Sequence, residues 1–187
     1  GNIMASILGI DTIQHQSGTT AMTISNTGTI SEPNRPCFCV SSATNQTIPD
    51  AVITKIIFGN DTDGGNGGRN INKQGLYSNS RFTVTSATTG VYYFWTNMLF
   101  LGGGDISDMY LYWYKNGVSQ SLNYHNAGYG NNLRYGVINA MTMMNLDTAG
   151  DYMECHLYAN TASGTVVLDQ GNDTTSSRVL MGGYKVA

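Results

Sequence analysis

The sequence is poor in charge. Asp, Glu, Lys and Arg make up 11% of its 187 residues, against about a quarter in typical soluble domains. The net charge of −3 argues against electrostatic binding to nucleic acid or to an anionic membrane. No apolar run approaches the ~20 residues that span a bilayer, and the start around Met4 lacks the basic and apolar parts of a signal peptide. We therefore expect neither nucleic-acid binding nor membrane insertion.

Cysteine is equally scarce, with three residues in the chain. Three cysteines do not make a disulfide framework, and Cys37 and Cys39 lie two apart on a predicted strand, too extended for an easy mutual bridge. No CxxC or CxxH spacing accompanies them, which argues against a metal site. We expect Cys37, Cys39 and Cys155 to be reduced thiols.

One acidic loop partly resembles a calcium site. The segment NDTDGGN at 60–66 lacks the bidentate glutamate at the twelfth loop position and the flanking helices. A plain loop is the preferred interpretation, and Asp61 and Asp63 are only weak candidates for ion ligands. No metal and no cofactor are predicted.

Catalytic patterns are also missing. The histidines His15, His125 and His156 are scattered, without paired carboxylates, a nucleophile elbow or a phosphate loop around them. The GGGD stretch at 102–105 follows a strand but opens no helix, so it predicts a turn. The chain is therefore not expected to be an enzyme.

What the sequence does contain points to β-structure. It holds 23 glycines and 12 tyrosines, and no stretch combines helical periodicity with caps. Short strands divided by Gly and Asn clusters predict an all-β sandwich or jelly roll. Predicted strands are 35–42, 52–59, 80–85, 90–101, 106–115, 119–125, 135–146, 151–159 and 177–186. Residues 1–33 differ in texture, and a small hairpin is expected there around the turn at 25–28.

Two strands are apolar on both faces. In 90–101, Val91, Tyr93, Trp95 and Leu99 oppose Tyr92, Phe94, Met98 and Phe100. In 135–146, Val137, Met141 and Met143 oppose Ile138, Ala140, Met144 and Leu146. A sandwich strand needs one apolar face, so the second face predicts cover by another subunit.

Five segments, in order along 34–187, resemble those of C1q-like domains of the C1q/tumour-necrosis-factor type. They are NRPCFCV at 34–40, Phe82 with TGVYYF at 89–94, YKNG at 114–117, LDTAGDY at 146–152 and LMGGY at 180–184. The last departs from the family's closing strand, with Met-Gly in place of Phe-Ser. The Gly/Asn-rich loops at 60–75 and 126–133 also depart from it, so family binding roles are not carried onto them.

The resemblance implies a ten-strand jelly-roll head at 34–187 that assembles as a compact homotrimer. It places 90–101 and 135–146 in the inner sheet, toward the threefold axis. The predicted trimer interface is Tyr93, Trp95, Leu99, Val137, Met141 and Met143.

The lead at 1–33 is similar to segments in structural proteins of marine tailed bacteriophages, most specifically in SGTTAMTI at 17–24. This implies a virion protein, assembled in the host bacterial cytoplasm, whose residues 4–33 bind a capsid or fibre protein. Its head would be a trimeric knob that decorates the capsid or tips a fibre. It would contact a host-surface glycan or protein, or only stabilise the particle. The alternative is a secreted C1q-like recognition module that binds glycan or protein ligands.

A tyrosine stripe is the preferred ligand-binding candidate. Tyr110, Tyr112 and Tyr114 alternate along one strand, and in the resembling fold they adjoin Tyr152, Glu154, His156 and Tyr158. Tyrosine rings stack while their hydroxyls hydrogen-bond, which suits a sugar or a protein surface. The alternative is cross-strand packing that only stabilises the sheet. A second candidate is the loop tip around Tyr124, His125, Tyr129 and Tyr135.

Overall fold

The computed structural model describes residues 10–59, 70–126, 133–162, 164–170 and 178–187. Within these residues every regular element is a β-strand and none is a helix. The strands are β1 Thr12–Gln14, β2 Thr20–Ile24, β3 Ile30–Ser31, β4 Cys37–Ser41, β5 Gln46–Ile48, β6 Thr54–Lys55, β7 Tyr77–Ser78, β8 Arg81–Thr83, β9 Gly90–Lys115, β10 Val118–Asn126, β11 Leu133–Leu146, β12 Tyr152–Thr161, β13 Val166–Leu168 and β14 Val179–Lys185.

The chain divides into two compact units between Arg35 and Pro36. In the first unit β1, β2 and β3 form an antiparallel sheet in that order. The turn between β2 and β3 is closed by hydrogen bonds from Ser25 N to Thr29 O at 2.9 Å and from Gly28 N to Ser25 O at 2.9 Å. Gly28 has a φ of 80°, a conformation that glycine adopts without strain. The hairpin predicted around residues 25–28 is thus confirmed.

In the second unit, the 26-residue strand β9 belongs to two sheets. Its first part pairs with β14 on one edge and β11 on the other, which with β4 gives the order β4-β14-β9-β11, here called the inner sheet. Its last part pairs with β10 and β12, and β12 pairs with β6 and β8, which gives the outer sheet. Segments 90–101 and 106–115, predicted as separate strands, are therefore one continuous strand that changes partners.

The apolar core lies between these two sheets. Phe38 of the inner sheet stacks on Phe82 of the outer sheet with ring centroids 4.8 Å apart, and Phe94 meets Trp113 at 5.9 Å. Along the first part of β9 the even-numbered side chains are buried and the odd-numbered ones are partly exposed. This period of two places one face of each sheet against the other, as in a sandwich.

One predicted strand needs correction, and three short strands were not predicted. The predicted strand 52–59 is regular only at Thr54–Lys55, since the side chain of Gln46 replaces ladder bonds there. Its Nε2 donates to Lys55 O at 2.7 Å, and its Oε1 accepts from Ile57 N at 2.8 Å. The short strands β5, β7 and β13 were not predicted, because two or three residues carry no measurable alternation.

Two turns at one end of the sandwich are tied together by side chains. Asn116 and Gly117 have φ values of 52° and 78°, the combination that a two-residue type I′ hairpin requires. The Asn116 Nδ2 donates to Asp151 Oδ1 at 2.7 Å, and Lys115 Nζ lies 3.1 Å from Asp151 Oδ2. The Asn116 hydrogen bond, followed by those from Lys115 and the Thr148 backbone, lowers the pKa of Asp151 to about 2 although burial opposes this.

A glycine in β14 makes room for an indole. A Cβ added at Gly182 would lie 2.5 Å from two ring carbons of Trp95. We expect Gly182→Ala to lower the free energy of unfolding by about 1–3 kcal/mol because the indole must move. Urea melts measure this loss. The loss caused by Gly182→Ala should be smaller when Trp95 has also been replaced by leucine. An equal cost in both backgrounds would contradict the steric explanation.

Candidate binding surface

Tyrosines line the outward face of the outer sheet in register. β10, β9 and β12 place Tyr124 opposite Tyr110 and Tyr110 opposite Tyr158. The next row along β9 places Leu122 beside Tyr112 and Tyr112 beside His156. Since side chains alternate between faces, these rows share one side of the sheet. We call this the aromatic face: Tyr110, Tyr112, Tyr114, Leu122, Tyr124, His156 and Tyr158.

The rings of the aromatic face contact one another. Tyr110 is the hub, with ring centroids 4.8 Å from Tyr124, 5.5 Å from Tyr158 and 6.2 Å from Tyr112. The Tyr114 ring lies 4.1 Å from the His156 imidazole. Such cross-strand pairs each stabilise a sheet by a fraction of a kcal/mol, about 0.2–1 kcal/mol. The contacts therefore hold the rings in place as one platform.

Most tyrosine hydroxyls on this platform have no hydrogen-bond partner among the described residues. Within the part that the structure describes, the hydroxyls of Tyr110, Tyr112, Tyr114 and Tyr158 make no hydrogen bond. The exception is Tyr124, whose hydroxyl donates to Asp108 Oδ1 at 2.7 Å. Burial, and then the neighbouring tyrosines, raise the pKa of Tyr112, so its hydroxyl stays protonated at neutral pH and can donate.

A charged cluster closes one end of the aromatic face. The Glu154 side chain, 7% exposed, lies 2.8 Å from Lys55 Nζ, 2.8 Å from Arg81 Nη2 and 3.2 Å from His156 Nε2. Burial disfavours its ionisation, but the hydrogen bonds from Lys55, Arg81 and His156 prevail and lower the pKa of Glu154 to about 2. The Arg81 guanidinium also sits 3.7 Å above the Tyr152 ring. Glu154 is thus an ionised anchor for two cations.

His156 belongs to both the cluster and the platform. Burial lowers its pKa, and the nearby Glu154 offsets this only in part. The imidazole is therefore neutral at pH 7, and its Nε2–H can donate to Glu154 Oε2 at 3.2 Å. This fixes the ring plane against Tyr114.

The structure brings the six predicted ligand-binding residues onto one sheet face. Tyr110, Tyr112, Tyr114, His156 and Tyr158 are contiguous, whereas Tyr152 lies at the far end against Arg81. Sequence reasoning missed Leu122, Asp108 and Lys55 as neighbours. The register shift between Ser119 and Ser121 sets which β10 residues join the face, and the sequence carries no clear signal for it.

The described residues of the second predicted site lie on different sheets. Tyr124 lies on the outer sheet, whereas Tyr135 pairs with Leu101 on the inner sheet. The two tyrosines of the predicted loop tip therefore face different surroundings. Tyr129 lies outside the described residues, and the side chain of His125 is not described.

The outward face of the inner sheet is apolar and uncovered. Met141 and Met143 are 62% and 59% exposed, and Tyr135 is 73% exposed. Register places Met141 beside Trp95 and Met143 beside Tyr93. We call this surface the inner face: Tyr93, Trp95, Leu99, Leu101, Tyr135, Val137, Met141, Met143 and Tyr184. It holds all six residues predicted for the trimer interface.

The described residues contain no group of three or more His, Cys, Asp or Glu side chains placed to hold a metal ion. The weak ion candidates Asp61 and Asp63 lie outside the described residues. Cys37, Cys39 and Cys155 are all free thiols, and burial raises the pKa of Cys155 and of Cys39. No helix capable of crossing a membrane occurs in the part of the chain that the structure describes.

Comparison with known proteins gives a fold and no sequence relative. No protein-family model matches the sequence, and no curated protein matches it. Among solved structures, the crystal structure of murine APRIL at pH 8.0 aligns with a TM-score of 0.51 and 12% identity, over 82% of this chain and 100% of the other. The second unit is a tumour-necrosis-factor-like β-sandwich. At this identity the likeness concerns the fold alone, and the jelly-roll head is the name we use for residues 36–187.

Proposed function

We propose that this chain is a non-enzymatic homotrimeric binding head of a bacteriophage virion, either decorating the capsid or tipping a fibre. The proposal rests mainly on one observation. The jelly-roll head carries two different surfaces on opposite sheets, an uncovered apolar inner face and a tyrosine-rich aromatic face. The inner face would be covered by two further copies of the chain, and the aromatic faces would remain available to a ligand on the host surface.

Self-association is supported by the chemistry of the inner face. Contiguous apolar patches larger than a few hundred Å² are rare on monomers, and this face adds Tyr135, Val137, Met141 and Met143 on β11 alone. The resemblance to C1q/tumour-necrosis-factor domains implies a trimer packed through this same sheet. Three copies also give three aromatic faces on one rigid head, so weak individual binding gains by avidity.

A role in a virion is supported by the N-terminal unit. Its resemblance to phage structural segments suggests that residues 4–33 bind a capsid or fibre protein. In the described part of this unit Ile10, Ile13 and Ile30 are 40%, 42% and 59% exposed. A three-stranded sheet with so little burial is marginal alone, so contacts with other chains would complete it.

The test begins with the oligomeric state. Sedimentation of the full chain should give a species of about three times 20.1 kDa at micromolar concentration, and a monomer would contradict the trimer. Mass spectrometry of gradient-purified particles should then find the chain in stoichiometry with capsid or tail proteins. Its absence from particles, together with a soluble trimer in the medium, would favour the secreted recognition module.

A further inference from the structure

The aromatic face has a polar end as well as a charged end. On the outward side of the outer sheet, Asp108 and Asn160 are paired in register one row beyond Tyr110 and Tyr158. Asp108 Oδ1 accepts from the Tyr124 hydroxyl at 2.7 Å. The side-chain amide of Asn160 makes no hydrogen bond in the described part of the chain. The rings of Tyr110, Tyr124 and Tyr158 are therefore bordered by the Asp108 carboxylate and by the Asn160 amide, which has no hydrogen bond within the described residues.

We propose that this end of the aromatic face, formed by Tyr110, Tyr124, Tyr158, Asp108 and Asn160, binds a hydroxyl-rich carbohydrate. This inference rests on the proposed binding function and assigns its ligand class. The apolar side of a sugar ring would lie on Tyr124, Tyr110 and Tyr158. Its hydroxyls would hydrogen-bond Asp108, Asn160 and the hydroxyls of Tyr110 and Tyr158.

The size of the platform favours a sugar over a protein. From Asp108 to Tyr110 the strand rises about 7 Å, and three strands span about 10 Å. A footprint on the order of 70 Å² is far below the ~800 Å² that each partner gives to a standard protein interface. It matches a short oligosaccharide.

The unpaired polar groups favour the same ligand. Each tyrosine hydroxyl that loses water without gaining a partner weakens binding. A sugar offers a donor and an acceptor on almost every ring carbon, so it can satisfy several such groups from one rigid ring. A flat apolar protein surface cannot.

Binding of the full-length trimer to an array of neutral hexose and N-acetylhexosamine oligosaccharides, printed beside sialylated and uronic-acid oligosaccharides, tests the inference. We expect at least one of these oligosaccharides to bind. Titration with it should show about tenfold weaker binding for Tyr124→Ala and for Asp108→Ala, the loss of one aromatic or one charged hydrogen-bonding contact. Tyr124 is 52% exposed, so its truncation should leave the fold intact. Val118→Ala, at the start of β10, is the matched control and should bind normally.

Two outcomes would overturn the inference. They are no binding to any oligosaccharide by an intact trimer, and affinity unchanged in both variants. Particles that adsorb to periodate-treated cells but not to protease-treated cells would point to a protein ligand instead. In each case a trimer present in virions would still support the proposed function. A monomer that is absent from virions would contradict the proposed function, whatever the array shows.

Discussion

The Met141→Lys chain is expected to sediment as a folded monomer. Met141 is 62% exposed in the single chain, so lysine there can remain in water and the sandwich should keep its stability. In a trimer packed through the inner face, three lysines would be buried close together near the axis. Burying an unpaired charge costs several kcal/mol, and about 4 kcal/mol already weakens association a thousandfold.

The control for this variant is Val118→Lys. Val118 is 61% exposed and is the first residue of β10 in the outer sheet, away from the inner face. It should sediment as the wild type does, at about three times the mass of the chain. Circular dichroism and melting of both variants check that the fold is retained. A trimeric Met141→Lys chain would show that β11 is not in the interface.

Acidification from pH 5 to pH 2 is expected to lower the free energy of unfolding by on the order of 4 kcal/mol. Hydrogen bonds from Lys55, Arg81 and His156, against the opposing effect of burial, hold the pKa of Glu154 at about 2. The Asn116 and Lys115 hydrogen bonds do the same for Asp151. Both pKa values are lower in the folded than in the unfolded chain, so the stabilisation is complete above about pH 5. It is lost as the pH falls toward 2.

Urea melts at a fixed protein concentration, at pH 6 and at pH 2.5, measure this effect. Glu154→Gln should be less stable than the wild type at pH 6 and should lose less on acidification, since the variant has one linked carboxylate fewer. Asp147→Asn is the control, because the Asp147 side chain is 65% exposed and 3.7 Å from Lys115, and such pairs contribute little. An unchanged pH dependence in Glu154→Gln would contradict the ion-pair explanation.

Much of the sandwich could be predicted because side chains along its main strands alternate between its two faces. The two-sided apolar pattern of 90–101 and 135–146 identified the faces of β9 and β11, and the burial of Tyr92 and Ile138 against the exposure of Val137 and Met141 agrees with it. The Asn116-Gly117 hairpin was equally readable, since its positive φ values favour that pair of residues. Short strands such as β5 could not be predicted, because their pairing depends on partners far along the chain.

The candidate surface was predictable only in part. Alternation alone placed Tyr110, Tyr112 and Tyr114 on one side of their strand. That Tyr124 contacts Tyr110, and that Lys55 contacts Glu154 99 positions away, depends on strand order and on the register shift in β10. No local pattern encodes either of them.

The sequence by itself determined the all-β class, the hairpin turns and the two-sided apolar strands, because these follow from backbone preferences and a side-chain period of two within a single segment. Only the tertiary structure decided which strands adjoin, since β9 takes different partners along its length. It thereby separated Tyr124 from Tyr135, surrounded Glu154 with cations and set Asp108 beside the tyrosine platform. Pairing register is a long-range property, set by the burial of one complete sheet face against another.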